Sequence, residues 1–161
     1  MLPRIDTSKI MVRFAYHSDW DGAMKLAWET FIKFDAPDYS QEGIQNFRNF
    51  VNDEMLRKMF LAGQYQLIVA VDNGQIIGMI SLRDKKHISL LFVDERYHNN
   101  GVGSALIKYA SKYVRDEEGV DHLTVNASPY AVRFYRKRGF RDRGPETTAD
   151  GIRFTPMERS I

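Results

Sequence analysis

Residues 87–115 constrain the fold more than any other part of this chain. The run His87–Val93 is almost entirely apolar, and a polar loop with two glycines follows it. From Gly103 onward, apolar residues recur at the 3.6-residue spacing of an amphipathic helix. Because such an apolar run is typical of a strand buried on both faces, the segment predicts a central strand that leads through a short loop into a helix.

The flanking segments supply the rest of a sheet and its covering helices. Residues 10–16 have a strand pattern, and two or three amphipathic helices follow, with Ser18 as the N-cap of the first. Strand patterns then flank an Asp-Asn-Gly turn at 72–74, which is typical of a hairpin. After the strand–loop–helix segment the pattern predicts a strand, a helix and two late strands. This order predicts an α/β fold with a mixed sheet and helices on both faces.

Length and composition predict one globular domain over residues 1–161, with 1–9 as a flexible arm. The 23 Lys and Arg residues nearly balance the 21 Asp and Glu residues, so the net charge of +2 gives no electrostatic case for nucleic acid or membrane binding. The absence of cysteine excludes disulfides, thiolate metal sites and a cysteine nucleophile, and we expect no metal. Because the N-terminal region has no long apolar segment, we expect a cytoplasmic protein.

The loop His98–Ser104 has the composition of an anion-binding site. The first amides of a helix have no partner within the helix, and the helix dipole adds a partial positive charge there. Gly101 and Gly103 let the backbone approach a phosphate closely. A turn that only reverses the chain would contain the same glycines, so the loop alone leaves both interpretations open. Gly103 is not followed by the lysine of a Walker loop, and Leu106 does not suit a dinucleotide-binding fingerprint.

Two motifs in register resemble those of the Gcn5-related N-acetyltransferase family. Residues 91–106, from the strand end at Val93 through the glycine loop, are similar to the family's motif A, with His98 in place of the usual Gln or Arg. Asn126 and residues 131–140 are similar to motif B. The resemblance is good over residues 66–140. It implies a central, mostly antiparallel twisted sheet of six to seven strands, with a splay between the two central strands.

The resemblance also implies acetyl-CoA as the co-substrate and indicates how it binds. The loop amides meet the pyrophosphate, the strand end at Val93 pairs with the pantetheine arm, and Asn126 meets the pantetheine or its sulfur. A simple strand-to-turn role is the alternative for Asn126. The implied coenzyme-binding residues are Leu91, Phe92, Val93, His98, Asn99, Asn100, Gly101, Val102, Gly103, Ser104, Asn126, Phe134 and Tyr135.

Three residues are candidates for catalysis. By its position in motif A, the Leu91 amide polarises the thioester carbonyl, as an oxyanion donor would. The resemblance gives Tyr135 the role of protonating the CoA thiolate, with a core aromatic residue as the alternative. His87 stands where histone-type members of the family have a glutamate base. An imidazole can accept an amine proton, but a histidine at a strand start is more often structural.

The acceptor side is expected to come from the early helices and the late strands. This region is rich in aromatic residues, most of which are also candidates for the core. Asp35, Asp38 and Glu42 cluster at the break between two helices, where they either attract a cationic amine or form a solvated acidic loop.

The resemblance thus implies an N-acetyltransferase that moves an acetyl group from acetyl-CoA directly to a primary amine of a small molecule or peptide. A non-catalytic, CoA-binding sensor or partner module of the same fold is the alternative, because no base is firmly assigned. Another acyl donor or an alcohol acceptor also stays open. The sequence does not determine the acceptor or the oligomeric state, for which a homodimer is one option.

Overall fold

The computed structural model describes residues 5–161, which form five α-helices and eight β-strands. The helices are α1 Trp20–Phe34, α2 Gln41–Val51, α3 Glu54–Leu61, α4 Val102–Glu117 and α5 Val132–Lys137. The strands are β1 Met11–Phe14, β2 Gln66–Asp72, β3 Gln75–Arg83, β4 His87–Val93, β5 His122–Ala127, β6 Arg141–Asp142, β7 Thr147–Ala149 and β8 Ile152–Ser160.

The start of the chain differs from the sequence-based prediction. The predicted arm at 1–9 lies partly outside the described residues, and within the described part Thr7–Lys9 form a 3-10 turn. The prediction of Ser18 as an N-cap is wrong, because Ser18 lies inside a 3-10 turn that precedes α1. The carboxylate of Asp19 holds this turn by accepting hydrogen bonds from the amide of Tyr16 at 2.6 Å and the guanidinium of Arg13 at 2.7 Å.

The described strands form one sheet in the order β1-β2-β3-β4-β5-β8-β6, and β7 pairs with β8. Within it β4 and β5 are parallel, and every other described pair is antiparallel. The predicted mixed, mostly antiparallel sheet is confirmed, with one strand more than expected. The additional strand is β7, which turns back into β8 through Asp150 and Gly151, both with left-handed φ angles of 54° and 77°.

Helices cover both faces of the sheet, as predicted. On one face, α4 and α5 supply Leu106, Ile107 and Tyr135 to a core that includes Ile80 and Leu123. On the other face, α1, α2 and α3 pack their buried residues against alternate side chains of the same strands. Burying both faces explains why the central strands are so apolar.

The predicted hairpin between β2 and β3 is confirmed and places α4 against the sheet. Asn73 and Gly74 form its two-residue turn with φ angles of 50° and 78°, as a type I′ turn requires. On β3, a Cβ at Gly78 would lie 3.1 Å from Val102 Cγ1 and 3.2 Å from Leu106 Cδ1. The missing side chain therefore lets the first turn of α4 lie directly on the strand.

A bulge in β4 marks the point where the sheet opens. Leu82 of β3 pairs with Ile88, whereas Ser81 pairs with Leu90, which leaves Ser89 as an extra residue. The hydroxyl of Tyr65, buried in the core, donates to Ser81 Oγ at 2.7 Å and also contacts Ser89 Oγ. Bulges of this kind bend a strand, and β4 pairs with β5 only before the bulge, whereas its pairing with β3 continues to Val93.

Beyond the bulge, β4 and β5 separate. They pair only at the register positions His87–Thr124 and Ile88–Val125. This confirms the predicted splay between the two central strands. The second half of β4 is less enclosed than its apolar sequence predicts, and Leu91, Phe92 and Val93 are half-buried because they line the gap.

Candidate active site

A cleft with a volume of about 1220 Å³ opens between the separated ends of β4 and β5. One end is lined by the β4–α4 loop and by α5, and the other by α1, α2 and the β7–β8 hairpin. Of the residues that the sequence predicts for coenzyme binding or catalysis, all line this cleft except Asn100 and Ser104.

The two ends of the cleft differ in charge. Arg133, Lys137 and Arg138 line the end beside the loop, although the sequence motifs did not assign them to the site. Their signal was the run of basic residues on α5, which becomes informative only once α5 lies next to the loop. The opposite end carries Asp35 and Glu42. The cleft therefore suits an anionic group at one end and a cationic group at the other.

The backbone of β4 turns alternate peptide groups into the gap. Asp94 N donates to Ile77 O at 2.8 Å, which makes this a hydrogen-bonded pair of the antiparallel β3–β4 ladder. Such pairs alternate with pairs whose N–H and C=O groups point away from the partner strand. By this alternation the peptide groups of Leu91 and Val93 point away from β3 toward β5, which has already separated there.

The β4–α4 loop presents the N-terminus of α4 to the cleft. Gly101 is the N-cap with a left-handed φ of 80°, and the first helical hydrogen bond runs from Ala105 N to Gly101 O at 3.0 Å. The amides of residues 102–104 therefore have no carbonyl partner within the helix. Together with the helix dipole they form an anion-binding end, as the sequence predicts.

Gly103 is needed for a reason that the sequence did not reveal. A Cβ at this position would lie 2.7 Å from Phe134 Cζ, so the ring of Phe134 packs directly on the start of α4. The guanidinium of Arg138 lies 3.6 Å from the centre of that ring, and its Nε donates to Ser104 Oγ at 2.7 Å. The Ser104 side chain thus joins α4 to α5.

His98 supports the loop and does not extend freely into the cleft. Its Nε2 lies 2.7 Å from the carbonyl oxygen of Val93, and its ring packs 5.1 Å from that of Phe34. The side-chain amide of Asn100 donates to the His98 carbonyl at 2.9 Å. Asn99 has a left-handed φ of 61°. These contacts fix the loop relative to the end of β4.

Packing positions Tyr135, which lines the cleft. The ring makes edge contacts with Phe134 and Phe140, and only 4% of the residue is exposed. Burial, with a contribution from the Asp35 charge, raises the pKa of the Tyr135 hydroxyl above its ordinary value of 10.0. Among the hydrogen bonds of residues 5–161, none involves this hydroxyl. The phenol is therefore protonated and free to donate.

His87 lies at the closed end of the gap. Its Nδ1 is 2.8 Å from Thr124 Oγ1 on β5, at the register position where β4 and β5 are still paired. Burial, assisted by the charge of Arg83, lowers the pKa of His87 from 6.5 to about 4. Four residues of strand, about 13 Å, separate it from Leu91. His87 is thus a neutral, weakly basic imidazole at neutral pH.

Asp35 is a buried carboxylate at the end of the cleft that α1, α2 and the β7–β8 hairpin line. It is 8% exposed, and its Oδ1 accepts a hydrogen bond from Ser128 Oγ at 2.8 Å. Burial raises the pKa of Asp35 from 3.8 to about 6. Asp38, from the same predicted cluster, is only half-buried and lies 3.7 Å from Arg153 instead. The sequence predicted the acidic cluster but did not indicate which of its carboxylates is buried.

The β7–β8 hairpin is fastened to the start of α2. The amide of Ser40 donates to the Gly151 carbonyl at 3.3 Å, and Asn46 Nδ2 donates to the Asp150 carbonyl at 3.0 Å. A Cβ at Gly43 would overlap the Gly151 carbonyl oxygen. These contacts form one wall of the cleft from two distant parts of the chain.

Two further observations concern metal binding and membrane spans. No group of three metal-ligating side chains is present in residues 5–161. None of the helices in that range is long and apolar enough to cross a membrane.

A sheet that splays beside an amide-lined helix start, with helices on both faces, defines the acetyltransferase class of α/β folds. Residues 35–161 match the sequence profile described as the acetyltransferase (GNAT) domain. The chain belongs to this family, which confirms the resemblance drawn from its two motifs.

Relatives and solved structures agree with this assignment. An uncharacterized N-acetyltransferase of Escherichia coli K12, YafP, is 41% identical over 76 residues. The match covers 47% of this chain and 46% of that protein, so it spans less than half of either. A GCN5-related N-acetyltransferase from Rhodopseudomonas palustris superposes with a TM-score of 0.81 at 26% identity, over 99% of this chain and all of that one.

A second solved structure shares the fold. The PaiA N-acetyltransferase of Thermoplasma acidophilum, solved in complex with coenzyme A, superposes with a TM-score of 0.78 at 21% identity. The alignment covers 94% of this chain and 99% of that one.

Proposed function

We propose that this protein transfers an acetyl group from acetyl-CoA directly to a primary amine. The observation that carries the proposal is the gap between β4 and β5, where the Leu91 peptide group, the α4 N-terminus and the Tyr135 hydroxyl border one cleft. Membership in the GNAT family supports acetyl-CoA as the donor. The CoA-bound structure of a protein with the same fold adds further support.

The loop end of the cleft is proposed to bind the phosphates of the coenzyme. The free amides of residues 102–104 would donate to the pyrophosphate, and Arg133 and Lys137 would add positive charge around it. The Leu91 carbonyl and the Val93 N–H would pair with the pantetheine amides, because the Val93 carbonyl already bonds to His98 Nε2. Asn126, exposed at the end of β5, would contact the arm from the other side of the gap.

Two groups are proposed to act on the thioester. The Leu91 N–H would donate to the carbonyl oxygen as negative charge develops on it during attack by the amine. The Tyr135 hydroxyl would give its proton to the sulfur as the carbon–sulfur bond breaks. The raised pKa of Tyr135 keeps its proton on the phenol before transfer, and burial in the same cleft would also make the departing thiolate more basic.

Coenzyme binding and turnover test these roles separately. Acetyl-CoA at millimolar concentration should raise the melting temperature by mass action, and no shift would contradict the coenzyme site. Tyr135→Phe should lower kcat at least tenfold with little change in acetyl-CoA affinity, because the hydroxyl acts on the leaving group. Tyr16→Phe is the matched control, since Tyr16 is exposed and remote from the cleft. An unchanged kcat in Tyr135→Phe would remove the tyrosine as the acid.

The alternative is a coenzyme-binding module without catalysis. A thiol-release assay with a panel of amines decides between the two functions. Release of CoA that depends on the amine supports the enzyme. Tight coenzyme binding with no release for any amine or alcohol would support the sensor.

A further inference from the structure

Burying the Asp35 carboxylate costs free energy, and the fold gives no structural reason for a carboxylate at this position. Asp35 follows the last residue of α1 as its C-cap, where the helix dipole disfavours a negative charge. The residue is almost completely buried, and its one side-chain hydrogen bond in the described structure comes from the neutral hydroxyl of Ser128. Among residues 5–161, no lysine or arginine forms an ion pair with it. Buried carboxylates usually have such a partner.

The surroundings of Asp35 are aromatic. Phe31 stacks on Phe47 with ring centres 3.8 Å apart, and Tyr39 packs edge-on against Phe31 at 5.2 Å. Phe34 stacks with Tyr130 at 5.0 Å. All five rings line the cleft together with Asp35. An apolar body would fit between these rings, and their faces would also favour a cation.

Asp35 is connected by a hydrogen bond to the part of the chain that lies beside the proposed site of acetyl transfer. Its hydrogen-bond partner Ser128 directly follows β5, two residues beyond Asn126. Both residues line the same cleft, and the Asp35 charge adds to burial in raising the pKa of Tyr135. A cation bound at Asp35 would therefore lie on the Tyr135 side of the cleft.

We propose that Asp35 binds the ammonium group of the acceptor and removes its proton, and that the acceptor is a primary amine carried on an apolar or aromatic body. This inference rests on the proposed acetyl transfer. His87 is left as a structural residue, hydrogen-bonded to Thr124 at the closed end of the gap.

The proton balance of the step is complete. The ammonium group loses one proton to the Asp35 carboxylate, and the nitrogen lone pair forms the bond to the thioester carbonyl carbon. The carbon–sulfur bond breaks with its electron pair on sulfur, which takes the Tyr135 proton. The new amide nitrogen loses its second proton, which restores Tyr135, and Asp35 releases its proton to solvent.

The titratable groups around Asp35 are compatible with this cycle of proton uptake and release. Asp38 on the same segment and Tyr39, Tyr130 and Tyr135 are the titratable groups that interact with it. With a pKa of about 6, Asp35 is ionised at neutral pH and returns a proton to water readily. We expect kcat/KM to fall as the pH drops through about 6.

The test compares Asp35→Asn, Asp35→Glu and the control Asp38→Asn in a thiol-release assay. The acceptors are phenethylamine, hexylamine, spermidine and glutamate, at pH 5.5–9. Phenethylamine or hexylamine should be preferred over glutamate. Asp35→Asn should lose at least 100-fold in kcat/KM for the amine, with unchanged acetyl-CoA affinity. Its residual rate should rise with pH as free amine accumulates, and the limb near pH 6 should vanish. Asp38→Asn should keep a wild-type rate at pH 7–9, with the limb near pH 6 moved slightly lower because the Asp38 charge helps to raise the pKa of Asp35. Asp35→Glu should recover part of the rate.

A rate within twofold of wild type in Asp35→Asn would overturn the inference, as would a preference for glutamate. If the wild type binds CoA but acetylates no amine, the proposed function fails, and amine binding then tests Asp35 on its own. Phenethylamine should raise the melting temperature of the wild-type CoA complex but not that of the Asp35→Asn complex. Equal shifts in the two proteins, or none in either, would refute the cation site.

Discussion

Replacement of Asp35 by asparagine should stabilise the protein at neutral and alkaline pH. Burial raises the pKa of Asp35 from 3.8 to about 6, against the lowering effect of the Ser128 hydrogen bond. A shift of about two pKa units corresponds to about 3 kcal/mol of unfavourable free energy for the ionised form in the folded state. Asparagine carries no charge and keeps an oxygen for the Ser128 hydroxyl. We expect a gain of about 1–3 kcal/mol at pH 8.

The direction in which the stability gain changes with pH shows whether ionisation of the Asp35 carboxylate is its cause. Because the folded pKa is raised, the penalty is complete above about pH 6 and disappears as the pH falls toward the ordinary value of 3.8. Each kcal/mol moves the melting temperature of a chain this size by about 2–4 °C. Asp35→Asn should therefore melt about 2–12 °C above the wild type at pH 8 and at nearly the same temperature near pH 4.

Differential scanning calorimetry from pH 4 to 8 measures this directly. Asp38→Asn is the control, because that carboxylate is only half-buried and lies 3.7 Å from the cationic Arg153. A melting temperature below wild type at pH 8 would refute the reasoning, as would a gain that persists at pH 4. A variant that gains stability while losing turnover would show that Asp35 is kept for function.

Two glycine substitutions test the walls of the cleft. Gly43→Ala should cost about 1–3 kcal/mol in urea unfolding, because the new Cβ overlaps the Gly151 carbonyl. The control is Gly22→Ala inside α1, where alanine should be neutral or stabilising, and an equal effect in both variants would contradict the contact. Gly103→Val should displace Phe134 and weaken acetyl-CoA binding at least tenfold in a titration, with only a few degrees of melting temperature lost. Unchanged affinity would exclude the α4 N-terminus as the phosphate site.

Local sequence signals predicted the parts of the fold that local physics determines. The Asn73-Gly74 turn defines its hairpin because both residues accept left-handed φ angles. The loop with Gly101 at the start of α4 was predictable because free helix amides require nothing from the rest of the chain. The Asp150-Gly151 turn carries the same kind of signal, yet β7 was missed because its three residues are too short for a periodic pattern.

The features that were not predicted depend on contacts between distant parts of the sequence. Asp35 is buried by its contact with Ser128, which lies 93 residues further along the chain. Nothing near Asp35 distinguishes it from Asp38, so the sequence could only offer both as an acidic cluster. The role of Gly103 likewise depends on Phe134 from motif B.

The direction of the Leu91 amide depends on the bulge at Ser89. A one-residue change of register exchanges the side of a strand to which each peptide group points. Without the extra residue, the peptide groups of β4 would alternate regularly from Ile88 onward. The Leu91 N–H would then point toward β3. Tyr65 fixes the extra residue through its contacts with Ser81 and Ser89. A hydroxyl in the core, on the face opposite α4, thus determines which peptide group is available in the gap between β4 and β5.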